Sequence, residues 1–161
     1  MRKLTGALVL LLIIAGCTKS LTVDTAYSFT NNGVNYGGNV YTATYHYDTA
    51  NARQVFNGTL YIGGANSGNY LQLNLQSNNY IIPGTYQYAN TYPASASASM
   101  RFVSDTIQYI QLSGYVQVTS IDTVGHKISG AFEFGGANTQ NALSTISLTN
   151  GKFTNLNYTV Q

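Results

Sequence analysis

Residues 70 to 76 read Tyr-Leu-Gln-Leu-Asn-Leu-Gln, an unbroken alternation of leucine with tyrosine or an amide residue. Successive side chains of a β-strand point to opposite faces, so this pattern places the leucines on one face and the amides on the other. A period of two that is sustained over a whole segment predicts a strand with one buried face. The segment is therefore typical of an antiparallel sheet that is wet on one side.

Similar alternation recurs along the chain, with glycine, asparagine or proline between the runs, and no segment shows a convincing helical period. We expect strands near residues 23–30, 34–47, 54–62, 70–76, 84–89, 96–103, 107–112, 114–122, 127–134, 144–149 and 152–160. This spacing predicts an all-β domain, either an antiparallel β-sandwich or a barrel-like fold of about 8 to 11 strands.

The same alternation assigns a core. The apolar positions that are expected to face inward are Phe56, Leu60, Ile62, Leu71, Leu73, Leu75, Tyr86, Tyr88, Val116, Val118, Ile128, Phe132, Phe134, Ile146 and Leu148. Turn residues punctuate these strands. Asn31-Asn32-Gly33 and Asn150-Gly151 predict hairpins, because asparagine and glycine tolerate the positive φ that tight turns require. A bend is expected at Gly37-Gly38.

Two segments resemble each other within the chain. Residues 56–66 and 128–138 match at a constant spacing of 72 residues, and both end in Gly-Gly-Ala-Asn. Asp48-Thr49 precedes the first copy and Asp122-Thr123 the second, where the turn would be two residues shorter. Either two similar hairpin units repeat, or two unrelated strands share a glycine-rich exit.

The N-terminal residues resemble a bacterial lipoprotein leader. Arg2 and Lys3 precede the apolar run of residues 8–13, which is too short to span a bilayer, and Ile-Ala-Gly-Cys at residues 14–17 resembles a lipobox. We expect a signal peptide over 1–16, lipidation of Cys17, a tether over 17–22 and a single β domain over 23–161. Two or more acyl chains suffice for a stable membrane anchor.

Charge is sparse. The chain has seven basic and five acidic residues, so removal of Arg2 and Lys3 would leave five of each. A near-neutral protein with only 7% charged residues lacks the basic stripe that binds nucleic acid, so no nucleic-acid partner is expected. Asparagine, glutamine, serine, threonine and tyrosine must solvate the surface instead.

Few residues suggest catalysis. His46 and Asp48 share a strand face, but a metal site or an oriented base would need a further group that no motif marks. Asp122 and Glu133 could meet across a hairpin as a carboxylate pair. We predict no catalytic residue, no metal site and no cofactor.

One polar face is a candidate binding surface. If Ile62 pairs with Leu71, Tyr61 stands opposite Gln72 and Thr59 opposite Asn74. Tyrosine rings can stack on sugars while amides and hydroxyls bind sugar hydroxyls. The alternative is an ordinary wet sheet face. The residues of this face are Asn57, Thr59, Tyr61, Tyr70, Gln72 and Asn74.

The second half carries a family resemblance. Residues 114–119, Asp122, 127–134 and 146–153, with Pro-Gly-Thr-Tyr at 83–86, form a series similar to small Bacteroidota-type β-rich outer-membrane lipoproteins of uncharacterised function. The resemblance implies export and lipid anchoring in the cell envelope, at the outer membrane, and it transfers no catalytic or binding residue.

The sequence thus predicts a membrane-anchored lipoprotein that acts as a non-catalytic binding or envelope-structural module, with a glycan or a protein as its possible partner. A glycan-binding accessory lipoprotein and a lipocalin-like carrier of a small hydrophobic ligand are the alternatives.

Overall fold

The computed structural model describes residues 25–88, 96–104 and 106–161. Of these residues, 71% lie in strands and none in a helix, which confirms the all-β prediction. The predicted signal peptide, Cys17 and the tether lie outside the described residues. No helix in the described part of the chain is long and apolar enough to cross a membrane.

Eleven strands are described. They are β1 (Tyr27–Asn31), β2 (Val34–Gly38), β3 (Tyr41–Asp48), β4 (Arg53–Tyr61), β5 (Tyr70–Ser77), β6 (Gly84–Gln87), β7 (Ala96–Ser104), β8 (Ile107–Asp122), β9 (Lys127–Asn138), β10 (Thr145–Asn157) and β11 (Thr159–Val160).

These strands form one sheet in the order β11-β3-β4-β5-β7-β8-β9-β10-β1-β2, and β6 pairs with β8 off this path. Neighbours are antiparallel except β11 and β3, which run parallel. The sheet curls strongly into an open half-barrel. Its curvature brings strands that are far apart in the order into contact on the inner face.

The core fills this inner face. The ring of Phe29 on β1 lies 6.3 Å from the ring of Phe102 on β7 and 6.1 Å from that of Phe132 on β9. Thirteen of the fifteen predicted core residues are buried, which confirms the assignment by alternation, whereas Ile62 and Tyr88 are only half-buried. Burial of large apolar side chains is the main stabilising contribution in a domain without a described disulfide.

One predicted hairpin is confirmed and the other is wrong. Asn32 and Gly33 both have positive φ and connect β1 to β2 as a two-residue turn. Asn150 also has positive φ (53°), but it lies inside β10, where the pairing with β9 shifts register between Leu148 and Gly151. The positive φ there serves a β-bulge, which adds a residue without reversing the chain.

The two segments of the internal repeat follow turns of equal length and share an inward face, but they end differently. Asp48 stands opposite Arg53 and Asp122 opposite Lys127, so the two turns have equal length, and the prediction of a shorter second turn is wrong. The Gly-Gly-Ala-Asn segments differ. Residues 63–66 lie in the loop between β4 and β5, whereas residues 135–138 continue β9. Both strands keep the same inward face. The first strand ends before its Gly-Gly-Ala-Asn segment, whereas the second strand includes it.

The C-terminal residues join two parts of the sheet. Tyr158 is buried after β10, and its ring lies 5.6 Å from that of Tyr45 and 6.2 Å from that of Phe56. Thr159 and Val160 then pair with β3. The chain therefore passes from pairing with β9 to pairing with β3 within a few residues.

Candidate functional site

The six residues of the predicted face do lie together on the outer face of β4 and β5. Their pairing differs from the prediction: Leu60, not Ile62, stands opposite Leu71. The predicted register was therefore wrong by two residues. A shift of two preserves the face of every side chain, so the membership of the face is unaffected. The observed pairs are Asn57 with Asn74, Thr59 with Gln72, and Tyr61 with Tyr70.

These pairs are in direct contact at both ends of the row. The Asn74 side-chain amide donates a hydrogen bond to the Asn57 side-chain oxygen. The rings of Tyr61 and Tyr70 lie 6.4 Å apart at an interplanar angle of 60°. All six side chains are half-buried, because long neighbours on a curled sheet cover one another. The row is thus an ordered surface with aromatic and amide ends.

A third strand extends the face. β7 pairs with β5 and places Ser99 opposite Asn74 and Arg101 opposite Gln72. The Arg101 guanidinium donates a hydrogen bond to the Tyr70 hydroxyl at 3.1 Å, and its central carbon lies 5.7 Å from the centre of the Tyr70 ring. We call the side chains of these three strands the outer-face site. Its residues are Asn57, Thr59, Tyr61, Tyr70, Gln72, Asn74, Ser99 and Arg101.

The sequence reasoning missed Ser99 and Arg101. Ala98, Met100 and Phe102 are buried, so the alternation within β7 was a signal that Ser99 and Arg101 face outward. The alternation did not reveal which strand lies beside β5, because β7 and not the next strand along the chain pairs with it.

The outer-face site contains a depression of about 320 Å³. Gln72 on β5 lies between Thr59 on β4 and Arg101 on β7, and Ser99 lies beside Arg101 on the same face of β7. The depression is open to solvent and shallow, which suits a ligand that lies along the surface. It is not the deep apolar cleft that usually binds small hydrophobic molecules.

Two buried polar atoms of the outer-face site have no hydrogen-bond partner among the described residues. They are the Asn74 side-chain oxygen and Nε of Arg101. A buried polar atom that stays unpaired costs about 1–3 kcal/mol, so such atoms in a native protein usually pair with ordered water, an ion or a ligand. The Asn74 oxygen is a hydrogen-bond acceptor and Nε of Arg101 is a donor.

The Asp48 carboxylate is hydrogen-bonded within its own turn. The Asp48 carboxylate accepts hydrogen bonds from the Asn51 side chain at 2.7 Å and from the Ala50 backbone N–H at 3.0 Å. The side-chain hydrogen bond from Asn51 is the largest of the effects that lower the pKa of Asp48. No group of three metal-ligating side chains exists within residues 25–88, 96–104 and 106–161. Asp48 therefore serves as the cap of its turn.

Asp122 and Glu133 do not meet. Asp122 stands opposite Lys127 at the turn, whereas Glu133 stands opposite Tyr115, six residues farther along β9. At about 3.3 Å per residue, the two positions are roughly 20 Å apart. The possible carboxylate pair across this hairpin is therefore wrong.

One comparison with known proteins identifies the family of the chain. No curated protein and no solved structure matches the chain. A family profile described as a domain of unknown function, DUF6252, matches residues 32–157, which is more than three quarters of the chain and includes all three strands of the outer-face site. Cys17 and the leader lie outside the matched range, so lipidation stays a prediction. The chain belongs to the DUF6252 family.

Proposed function

We propose that this protein is a lipid-anchored lipoprotein of the bacterial cell envelope, at the outer membrane, that works without intrinsic catalysis as a binding module. Its binding surface is the outer-face site, and its ligand is a carbohydrate chain. The observation that carries the proposal is the depression across β4, β5 and β7, which is lined by the unpaired amide oxygen of Asn74 and the unpaired Nε of Arg101. The rings of Tyr61 and Tyr70 form the next pair along β4 and β5, beside the depression.

The chemistry of the site favours carbohydrate. A sugar ring presents an apolar face edged with hydroxyls that both donate and accept hydrogen bonds. Tyr61 and Tyr70 offer aromatic surface with a polar end, and Asn57, Gln72 and Asn74 offer amides that pair with hydroxyls. A shallow open depression also suits one segment of a long polymer.

The packing of the inner face of the sheet favours a binding site on the outer face. A carrier of a small hydrophobic ligand would need space inside the curl, but there the ring of Phe29 packs at 6.3 Å from the ring of Phe102 and at 6.1 Å from that of Phe132. The same packing favours a barrel-like reading of the fold, in which the sheet encloses a filled interior.

The anchor is supported by the leader, and Cys17→Ser tests it. We expect this variant to lose acylation and to remain uncut at residue 17 in a host that processes lipoproteins. Mass spectrometry of the N-terminal peptide and detergent phase partitioning measure both effects. Thr18→Ala, which keeps the cysteine, is the control. A processed, membrane-bound Cys17→Ser protein would overturn the anchor.

A glycan array tests the binding surface. The purified protein is compared with a Tyr61→Ala, Tyr70→Ala double variant, and the control is Tyr47→Ala, Tyr80→Ala, which removes two exposed tyrosines outside the outer-face site. We expect the first pair to abolish binding and the second to leave it unchanged. Equal signals from all proteins, or none from any, would refute carbohydrate binding and leave a structural or protein-partner role.

A further inference from the structure

We propose that the carbohydrate bound by the outer-face site is acidic, and that Arg101 binds its carboxylate or sulfate group. This inference rests on the proposed function and adds the charge of the ligand to it. The sequence gives no basic patch, so a single half-buried guanidinium must carry the recognition.

The described residues that pair with Arg101 or flank it on its strand are neutral. It stands opposite Gln72 on β5 and Ile110 on β8, and Ser99 and Val103 flank it on its own face of β7. The described acids, Asp48, Asp122 and Glu133, lie on β3, β8 and β9. No pairing register brings any of them beside the guanidinium. The outer-face site therefore contains a positive charge that no described carboxylate balances.

Two other cations of the sheet show the contrast. Arg53 stands opposite Asp48, and Lys127 stands opposite Asp122, each at the start of a strand beside a turn. Arg101 lies instead in the middle of its strand, at the edge of a depression. A half-buried charge without a counter-ion is costly, so a position like this favours an anionic ligand.

The guanidinium is also held in place. Its hydrogen bond to the Tyr70 hydroxyl and its position beside the Tyr70 ring fix one side of the group. Nε of the same group is a further N–H donor, and it has no hydrogen-bond partner among the described residues. A planar fork with parallel donors matches a carboxylate or a sulfate, and such charge-assisted hydrogen bonds are stronger than neutral ones.

The neutral side chains of the depression favour an acidic sugar over other acidic ligands. The unpaired Asn74 side-chain oxygen accepts a hydrogen bond from a ligand hydroxyl. Thr59 on β4 and Ser99 on β7, which line the same depression, add hydroxyls on the two sides of β5. An acidic peptide has few hydroxyls to offer this row, whereas an acidic sugar carries hydroxyls and a carboxylate or sulfate on one ring.

The test uses matched charged and neutral polymers. Binding of the full chain, purified in detergent, is measured by calorimetry against polygalacturonate and its fully methyl-esterified form, and against dextran sulfate and plain dextran. Polyglutamate is the acidic peptide. We expect at least tenfold tighter binding to one acidic polysaccharide than to its neutral counterpart, and the pair that responds distinguishes carboxylate from sulfate.

Substitutions of Arg101 complete the test. Arg101→Gln should weaken binding to the acidic polymer at least tenfold, Arg101→Lys should weaken it less, and Lys152→Gln, which removes an exposed cation outside the site, should leave it unchanged. If Arg101→Gln fails to fold, the affinities of the unchanged protein for the charged and neutral polymers still show whether the ligand is acidic.

Three results would overturn the inference. Equal affinity for the acidic and neutral forms would refute the claim that the ligand is acidic and would leave the proposed carbohydrate binding intact. Binding to neither acidic polysaccharide would refute it as well, and the glycan array with the double tyrosine variant then judges the proposed function separately. If polyglutamate bound as tightly as the acidic polysaccharide, the claim that the acidic ligand is a carbohydrate would be refuted.

Discussion

The Tyr27 side-chain hydroxyl on β1 donates a hydrogen bond to the backbone carbonyl oxygen of Tyr61 on β4, although five strands lie between β1 and β4 in the sheet order. Only a sheet that curls back toward itself allows this contact. The bond reaches from the core to the last residue of β4, whose side chain belongs to the outer-face site. Burial raises the pKa of the Tyr27 hydroxyl, so it remains a donor throughout the neutral range.

Tyr27→Phe removes this bond and keeps the ring. We expect a loss of about 0.5–1.5 kcal/mol in the free energy of unfolding, the usual net contribution of one intramolecular hydrogen bond. Tyr80→Phe, at a side chain that is 73% exposed, is the control and should change stability by less than about 0.5 kcal/mol. Urea titration measures both variants. Equal midpoints for the two would contradict a bond between β1 and β4.

Leu73→Ala tests the core assignment. Leu73 is fully buried, so its truncation should cost about 2–5 kcal/mol through lost burial and the cavity that remains. Leu143→Ala makes the same chemical change at a side chain that is 93% exposed and should be nearly neutral. Chemical denaturation monitored by circular dichroism compares the two. A Leu73→Ala variant as stable as Leu143→Ala would place residue 73 on the surface.

Gly114→Ala separates steric conflict from backbone strain. Gly114 and Gly64 have similar φ values, 117° and 111°, so alanine is strained at both positions, at a cost of about 1–2 kcal/mol. A Cβ at residue 114 would lie 2.2 Å from the Glu133 carbonyl oxygen, whereas one at residue 64 would meet nothing within 4 Å. We expect Gly114→Ala to be destabilised further, by about 1–3 kcal/mol more than Gly64→Ala in thermal unfolding. Equal losses would show that β8 and β9 are not so close there.

The turns that contain Asp48 and Asp122 predict that the stability of the fold depends on pH in the acidic range. A hydrogen bond from the Asn51 side chain lowers the pKa of Asp48, and one from the Gly125 backbone N–H lowers that of Asp122. A carboxylate whose pKa is lower in the folded state stabilises the fold above its ordinary value of 3.8, and the contribution disappears as the pH falls through the folded-state value.

An Asp48→Asn, Asp122→Asn double variant keeps the accepting side-chain oxygens and cannot titrate. We expect its melting temperature to fall less than that of the wild type between about pH 4 and pH 2, where these carboxylates take up protons. Glu133→Gln, which removes a carboxylate outside both turns, is the control and should follow the wild-type slope. Superimposable slopes for all three proteins would mean that the two turns do not contribute.

Alternation predicted the faces of strands because it is a local property of the backbone. Leu71, Leu73 and Leu75 had to share a face whatever their partners, and the opposite face of β5 followed with them. The register was not local. It depended on the loop between β4 and β5, where Ile62 donates its backbone N–H to the Asn69 carbonyl oxygen without extending the strands.

Longer-range choices lay beyond the sequence pattern. Asn150 has the positive φ of a turn, but pairing with β9 and β1 on either side keeps the chain straight there, so the same local conformation makes a bulge. Arg101 escaped notice for a similar reason. It joins the outer-face site through the pairing of β7 with β5, which skips β6.

The pairing of β11 with β3 constrains the order of folding. The Thr159 hydroxyl donates a hydrogen bond to the Ala43 carbonyl oxygen, 116 residues earlier in the chain. Contacts of such sequence separation form late and slowly, because a long loop must close before they are made. Until residues 159 and 160 arrive, the outer edge of β3 presents unpaired backbone groups to other chains. The pairing of Thr159 and Val160 with β3 thus covers part of this edge in the folded protein, and we expect the edge to be most prone to aggregation before that pairing forms.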